Sequence, residues 1–193
     1  MFVTFLSILI GLVLADLVGM ARARADLWPP ASASLRTWLQ LAFMVELIVL
    51  SWLAYVHVGV ARRAVPAASD VLNPFLFAGY LFFMNCFVGV QEAYVWFYLA
   101  LGSAVISTFV TILFVRQARK EPELRSFAPL AAFNGPLLLN YLLIPYSCAA
   151  GVASQAGWLA PEVETAILVS FLIPSPIWMY LFLSRWRSAL AGE

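Results

Sequence analysis

The chain has 193 residues, of which 64% are hydrophobic and 11% charged, with a formal net charge of +1 and a mean hydropathy of +0.92. A water-soluble fold of this make-up would leave large apolar patches exposed. The near-neutral charge, and the lack of any basic run interleaved with aromatics, argue against nucleic-acid binding.

A hydrocarbon core about 30 Å thick needs roughly 20 apolar helical residues per crossing, and runs of that kind recur along nearly the whole chain. The expected fold class is all-α: a polytopic integral membrane protein, one bundle of about six transmembrane helices. Breakers and apolar runs place these at about residues 2–21, 36–61, 71–90, 94–116, 128–150 and 163–184.

The first apolar run has no charged residue before it, and Asp16 followed by Arg22 and Arg24 does not form the front or cleavage site of a signal peptide, so it reads as a retained helix. Ser7, Gly11 and Ala15, continuing from Thr4, form a small-residue seam against which another helix is expected to pack. Asp16 lies about a turn from the helix end, where its carboxylate either reaches water or marks the mouth of a path. Trp28-Pro29-Pro30, with Ser32 and Ser34, breaks the link to the second helix.

Glu46 sits in the middle of the second helix, within the apolar run from Leu41 to Leu53. An ionisable group there costs a few kcal/mol or more unless it faces protein or water. His57 follows eleven residues later, which at 100° per residue is about 20° from the same face and roughly 16 Å along the axis. Two readings stand: Glu46 and His57 line an ion or proton path, or Glu46 is a protonated acid bonded to another helix and His57 is interfacial.

Pro66 to Asp70 separates the second and third helices, with Ser69 or Asp70 as cap. As one helix, Val71 to Val115 would be about 67 Å long, so the chain folds back at Val90-Gln91-Glu92 into a tight antiparallel hairpin. Asn85 in the third helix, and Asn134 and Asn140 in the fifth, require partners in lipid, and interhelical hydrogen bonds are the common explanation. The fourth helix carries Ser103, Ser107 and Thr111 at intervals of four, with Thr108 beside them; the stripe lines a hydrated pore or lets a helix approach closely. Beyond the link from Arg116 to Arg125, prolines are expected to interrupt the last two helices, at Gly135-Pro136 and Pro145 and then at Pro174-Ser175-Pro176.

With both termini cytoplasmic, the inner face holds Arg62, Arg63, Arg116, Arg119, Lys120, Arg125, Arg185 and Arg187, against Arg22, Arg24 and Arg36 outside. That orientation is the expected one, with the three outer arginines a local exception. Trp28, Trp38, Trp96, Trp158 and Trp186 fall near helix ends, where amphipathic rings sit at headgroup level. Cys86 and Cys148, isolated in apolar segments, read as two buried small residues without a disulfide.

The only lysine, Lys120, lies in a link, which leaves no Schiff-base site inside the bundle, and the single histidine excludes multi-histidine metal and haem centres. A phosphate-binding glycine loop is absent, which excludes ATP-driven pumping by this subunit. No cofactor, metal or enzymatic activity is expected.

The segment Phe5-Leu6-Ser7-Ile8-Leu9-Ile10-Gly11-Leu12-Val13-Leu14-Ala15-Asp16-Leu17 resembles the opening of a group of uncharacterised bacterial six-helix membrane proteins. More distantly, Phe5 and Ser7 in the first helix, and Trp52, Tyr55 and His57 late in the second, are similar to the lysosomal-type and bacterial six-helix potassium channels. Those channels line their pore with a Phe-Ser-Asp signature; here the order is Phe5-Leu6-Ser7, with no aspartate directly following. The similarity covers roughly the first third of the chain. It implies a bacterial cytoplasmic membrane and a cation path built by several subunits. The leading expectation is a homo-oligomeric channel or transporter for a small cation or proton, in the lipid bilayer, involving Glu46, helix one and Asp16. The alternative is a non-conducting membrane scaffold or a lipid-binding sensor.

Overall fold

A computed structural model describes residues 2–23, 34–61, 68–120, 134–174, 176–180 and 183–184. These residues are helical with short turns, and no strand occurs among them. Six helices follow in order: α1 (Phe2–Ala23), α2 (Leu35–Ala61), α3 (Ala68–Asn85), α4 (Ala93–Lys120), α5 (Asn134–Gln155) and α6 (Pro161–Leu172). Four segments are long and apolar enough to cross a membrane: Leu35–Leu53, Ala93–Leu113, Leu137–Gln155 and Pro161–Tyr180. A shorter apolar stretch, Phe75–Asn85, lies in α3.

The core forms where helical periodicity brings apolar residues onto one face. On α1 that face is Ile10, Val13 and Leu17; on α2 it is Leu41, Met44 and Ile48. Phe171 of α6 is the hub. Its ring lies 6.1 Å from Phe43 of α2, 6.0 Å from Phe97 of α4 and 5.5 Å from Tyr146 of α5. Such tilted aromatic contacts add to the burial of large side chains.

Most of the small-residue seam of α1 meets no other helix among the described residues, apart from the contact of Ser7 with Trp52. Ser7, Gly11 and Ala15 are exposed, and a Cβ added at Gly11 would meet nothing within 4 Å. Close approach occurs instead between α4 and α5, the most extensive helix pair in the fold. Asn140 of α5 donates to Ser107 of α4, Tyr98 of α4 to Gln155 of α5, and Gly151 of α5 faces the Tyr98 ring, while Ala100 and Ala104 of α4 and Ala150 of α5 are buried. Small side chains at such spacing let two backbones approach without a large apolar core between them.

Several boundaries differ from the sequence expectation. Helix α3 ends at Asn85, not near residue 90, because its last turn tightens: Phe87 N–H bonds Met84 O at 2.9 Å and Val88 N–H bonds Asn85 O at 3.1 Å. Gly89, at φ 89°, supplies the left-handed residue that reverses the chain. The chain therefore folds back where expected, but α3 and α4 are not a tight hairpin. They touch near the turn and diverge beyond it, leaving an open apolar groove of about 400 Å³.

Helix α5 runs unbroken through Pro145, whose side is exposed, and on to Gln155. Pro136 sits in its first turn, where the missing N–H would have had no intrahelical partner. The expected interruption of α5 is thus absent, and its expected start near residue 128 lies outside the described residues. Its end is a Schellman cap: Gly157 at φ 71°, with Trp158 N–H to Ala153 O at 2.9 Å and Gly157 N–H to Ser154 O at 3.0 Å. Helix α6 does stop before Pro174, and residues 176–180 are again helical.

The tryptophans divide. Trp158 is 77% exposed in the α5–α6 turn, whereas Trp96 is 1% exposed, its indole N–H donating to Phe87 O at 3.2 Å. Trp96 is therefore a core residue that locks the α3–α4 turn, not an interfacial ring. Trp38 is half-buried, and Trp28 and Trp186 lie outside the described residues. Cys86 and Cys148, read as buried, are both exposed free thiols, because the faces of α3 and α5 that carry them point out of the bundle.

Candidate functional site

Two polar constellations lie toward the end of the bundle where the α3–α4 and α5–α6 turns meet the start of α2. The larger is centred on Arg36. Its guanidinium pairs with Glu164 Oε2 at 3.0 Å and donates to Gln91 O and Pro161 O, each at 3.0 Å. Ser154 donates to the other oxygen of Glu164 at 2.5 Å. One turn along α2, Gln40 donates to Val90 O at 2.8 Å and accepts from Gly89 N–H at 2.7 Å. Arg36 and Gln40 thus join α2 to the α3–α4 turn and to the first turn of α6. Glu164 also sits among the unpaired N–H groups that open α6, where a negative charge is favoured.

The smaller constellation joins α1 to α3. Asn85 Nδ2 donates to Asp16 Oδ2 at 2.8 Å and lies 3.4 Å from Val13 O. Asn85 is 1% exposed, and its Oδ1 is buried without a hydrogen-bond partner among the described residues. Asp16 itself is exposed. The arrangement is a carboxylate reachable from outside the fold, backed by a buried amide that still holds an unused acceptor. Sequence reading named both residues but did not pair them, since 69 positions separate them.

The remaining expected site residues, where described, make local bonds within and between helices. The hydroxyl stripe of α4 is tied down: Thr108 donates to Ala104 O and Thr111 to Ser107 O, each at 2.7 Å, while Ser103 lies 3.5 Å from Met84 Sδ. Ser107 accepts from Asn140 Nδ2 at 3.0 Å, which joins α4 to α5. Ser7 accepts from Trp52 Nε1 at 3.3 Å, an α1–α2 contact between two residues of the noted resemblance. Glu46 is half-buried on α2. The side chains of His57 and Asn134 lie outside the described residues, so the expected line from Glu46 to His57 has no described second member.

Sequence reading missed Gln40, Ser154, Glu164 and Thr165, whose Oγ1 accepts from Arg36 Nε at 3.4 Å, and took Arg36 only as an orienting charge. One signal was present: Arg36 and Gln40 stand four apart at the start of an otherwise apolar helix, a polar pair on one face. Among the described residues, no group of three or more His, Cys, Asp and Glu side chains is placed to hold a metal ion. The chain matches no protein-family model, no curated protein and no solved structure.

Proposed function

We propose that this chain is a polytopic membrane protein that moves a proton or small cation, with Asp16 as the carboxylate that takes it up. One observation carries the reading: Asp16 is held against the buried amide of Asn85, whose Oδ1 accepts nothing among the described residues. Buried polar groups are generally hydrogen-bonded, and an exception asks for a reason. Here an oxygen stands unused beside a reachable carboxylate, suited to a transferred proton or a hard cation that prefers oxygen.

Membrane residence is supported by the outer surface, where Phe109, Leu138 and Leu142 are 57%, 62% and 61% exposed. We infer six crossings with both termini cytoplasmic, in a bacterial cytoplasmic membrane. Pairing with Glu164 neutralises Arg36 inside the fold, which weakens the local exception to the positive-inside pattern. The aromatic hub fills the middle of the single chain, so a conducting path belongs between copies in a homo-oligomer.

The test is proton and monovalent-cation flux through purified protein in liposomes, comparing the native chain, Asp16→Asn, Glu46→Gln and empty vesicles. Selective flux, lost in Asp16→Asn with the fold intact, is the expected result. Native protein indistinguishable from empty vesicles under every gradient and voltage would sink the proposal. A second reading, a non-conducting scaffold, draws on the hydroxyls of α4, which bond backbone or neighbouring helices rather than an open lumen.

A further inference from the structure

The divergence of α3 from α4 leaves a groove walled by Leu76 and Tyr80 on one side and by Val105, Ile106, Phe109 and Val110 on the other. The hydroxyl of Tyr80 is already engaged, donating to Leu99 O at 2.6 Å, so its ring presents only apolar surface. Leu76, Val105 and Phe109 are 55%, 47% and 57% exposed. At about 400 Å³, the groove lies within the roughly 300–1,000 Å³ of sites that hold small apolar ligands. Its walls are bulky, unlike the small-residue surfaces that let transmembrane helices approach one another.

The same face of α4 becomes basic further along. Arg116 follows Val105 by eleven residues, which at 100° per residue places it within about 20° of the same line and roughly 16 Å onward. Arg116 is exposed, and so is Arg119 one turn beyond the groove's axis. The lining of the groove ends at Val110, about 9 Å short of Arg116 along the helix axis at 1.5 Å per residue, within the reach of a lipid from acyl chain to headgroup, and Arg116 lies on the face inferred to be cytoplasmic.

We propose that the α3–α4 groove is a binding site for an anionic phospholipid, with an acyl chain against Val105 and Phe109 and the phosphate at Arg116. The proposal rests on the membrane reading and is independent of conduction. A basic side chain near an anionic headgroup contributes about 1 kcal/mol, which corresponds to about fivefold in affinity. A neutral-headgroup lipid gains the groove but little from the arginine. The lipid then fills the gap that two diverging helices leave and holds them at a fixed separation.

The experiment counts lipid adducts on the full-length protein by native mass spectrometry in detergent, titrating phosphatidylglycerol and phosphatidylcholine separately. Arg116→Gln is expected to weaken phosphatidylglycerol binding about fivefold, and Arg116→Gln with Arg119→Gln further, with phosphatidylcholine unchanged. Val105→Trp points out of the fold and fills the slot with both arginines kept, so it is expected to remove the tightest adduct of either lipid. Helicity by circular dichroism and elution volume verify the fold of each variant. Equal binding of the two lipids with no effect of Arg116→Gln overturns the headgroup assignment. Unchanged adducts in Val105→Trp overturn the groove, and a Val105→Trp variant that instead dissociates an oligomer assigns the groove to a second copy of the chain. Native protein that inserts into phosphatidylcholine vesicles while showing no anionic preference leaves the membrane reading standing and removes only this proposal.

Discussion

Arg36, on the first turn of α2, and Glu164, on the first turn of α6, close a 3.0 Å ion pair across 128 positions of sequence. Their side chains keep 20% and 14% of their exposure, so the pair is largely withdrawn from solvent. Removing one partner of a buried pair strands the other charge, at about 3–5 kcal/mol for full burial.

Glu164→Gln is accordingly expected to lower stability by roughly 2–3 kcal/mol, less than the full-burial value because some solvent reaches the pair. Arg36→Met with Glu164→Met should recover much of that loss. Thermal unfolding followed by tryptophan fluorescence measures both. A single variant as stable as the native chain would show that the pair is screened and does not hold this end together.

At Gly102 of α4, an added Cβ would collide with the Tyr80 hydroxyl of α3. Gly102→Ala is expected to cost about 1–3 kcal/mol, the range for overpacking, and Tyr80→Phe about 1 kcal/mol for the lost bond to Leu99 O. The combination should cost less than the sum, since removing the hydroxyl also removes the closest obstacle. Additive losses would mean that the Tyr80 ring moves aside freely.

Asn140 donates to Ser107 at the α4–α5 contact. Interhelical bonds of this type average about 0.6 kcal/mol in measured membrane cases, so Asn140→Ala should lower stability by less than about 2 kcal/mol. Ser107→Ala and Thr111→Val are expected to leave liposome flux at the native level, because these hydroxyls are bound within the bundle. Flux that falls in Thr111→Val while stability holds would return the α4 stripe to the conducting path.

Phe171 touches α2, α4 and α5 through three aromatic rings. Truncation to Ala leaves a cavity among them and is expected to cost about 3–5 kcal/mol. Phe171→Leu should cost distinctly less. If both variants unfold at the native temperature, α6 does not depend on this hub.

The positions of the polar groups show where sequence reading reached and where it stopped. The fold-back after α3 was evident from length alone, since 45 residues of apolar helix exceed any bilayer, yet the residue that turns the chain is Gly89, recognised only from its backbone. The seam Ser7, Gly11 and Ala15 had the spacing of a packing face and is exposed, touching α2 only through Ser7; Ser147, Gly151 and Ser154 had a comparable pattern and are buried. Spacing marks a face that permits approach and leaves the choice of neighbour open.

By itself, the sequence determined that the described residues are helical and that long apolar segments recur along the chain; it expected six such segments, and four are long and apolar enough to cross a membrane among the described residues. These follow from local hydrophobicity and backbone chemistry, which act within one segment at a time. Only tertiary structure decided that Arg36 meets Glu164, that Asn85 backs Asp16, and that α3 and α4 part to leave a groove. The physical reason is distance along the chain: a hydrogen bond between residues 69 or 128 positions apart depends on how every intervening helix packs.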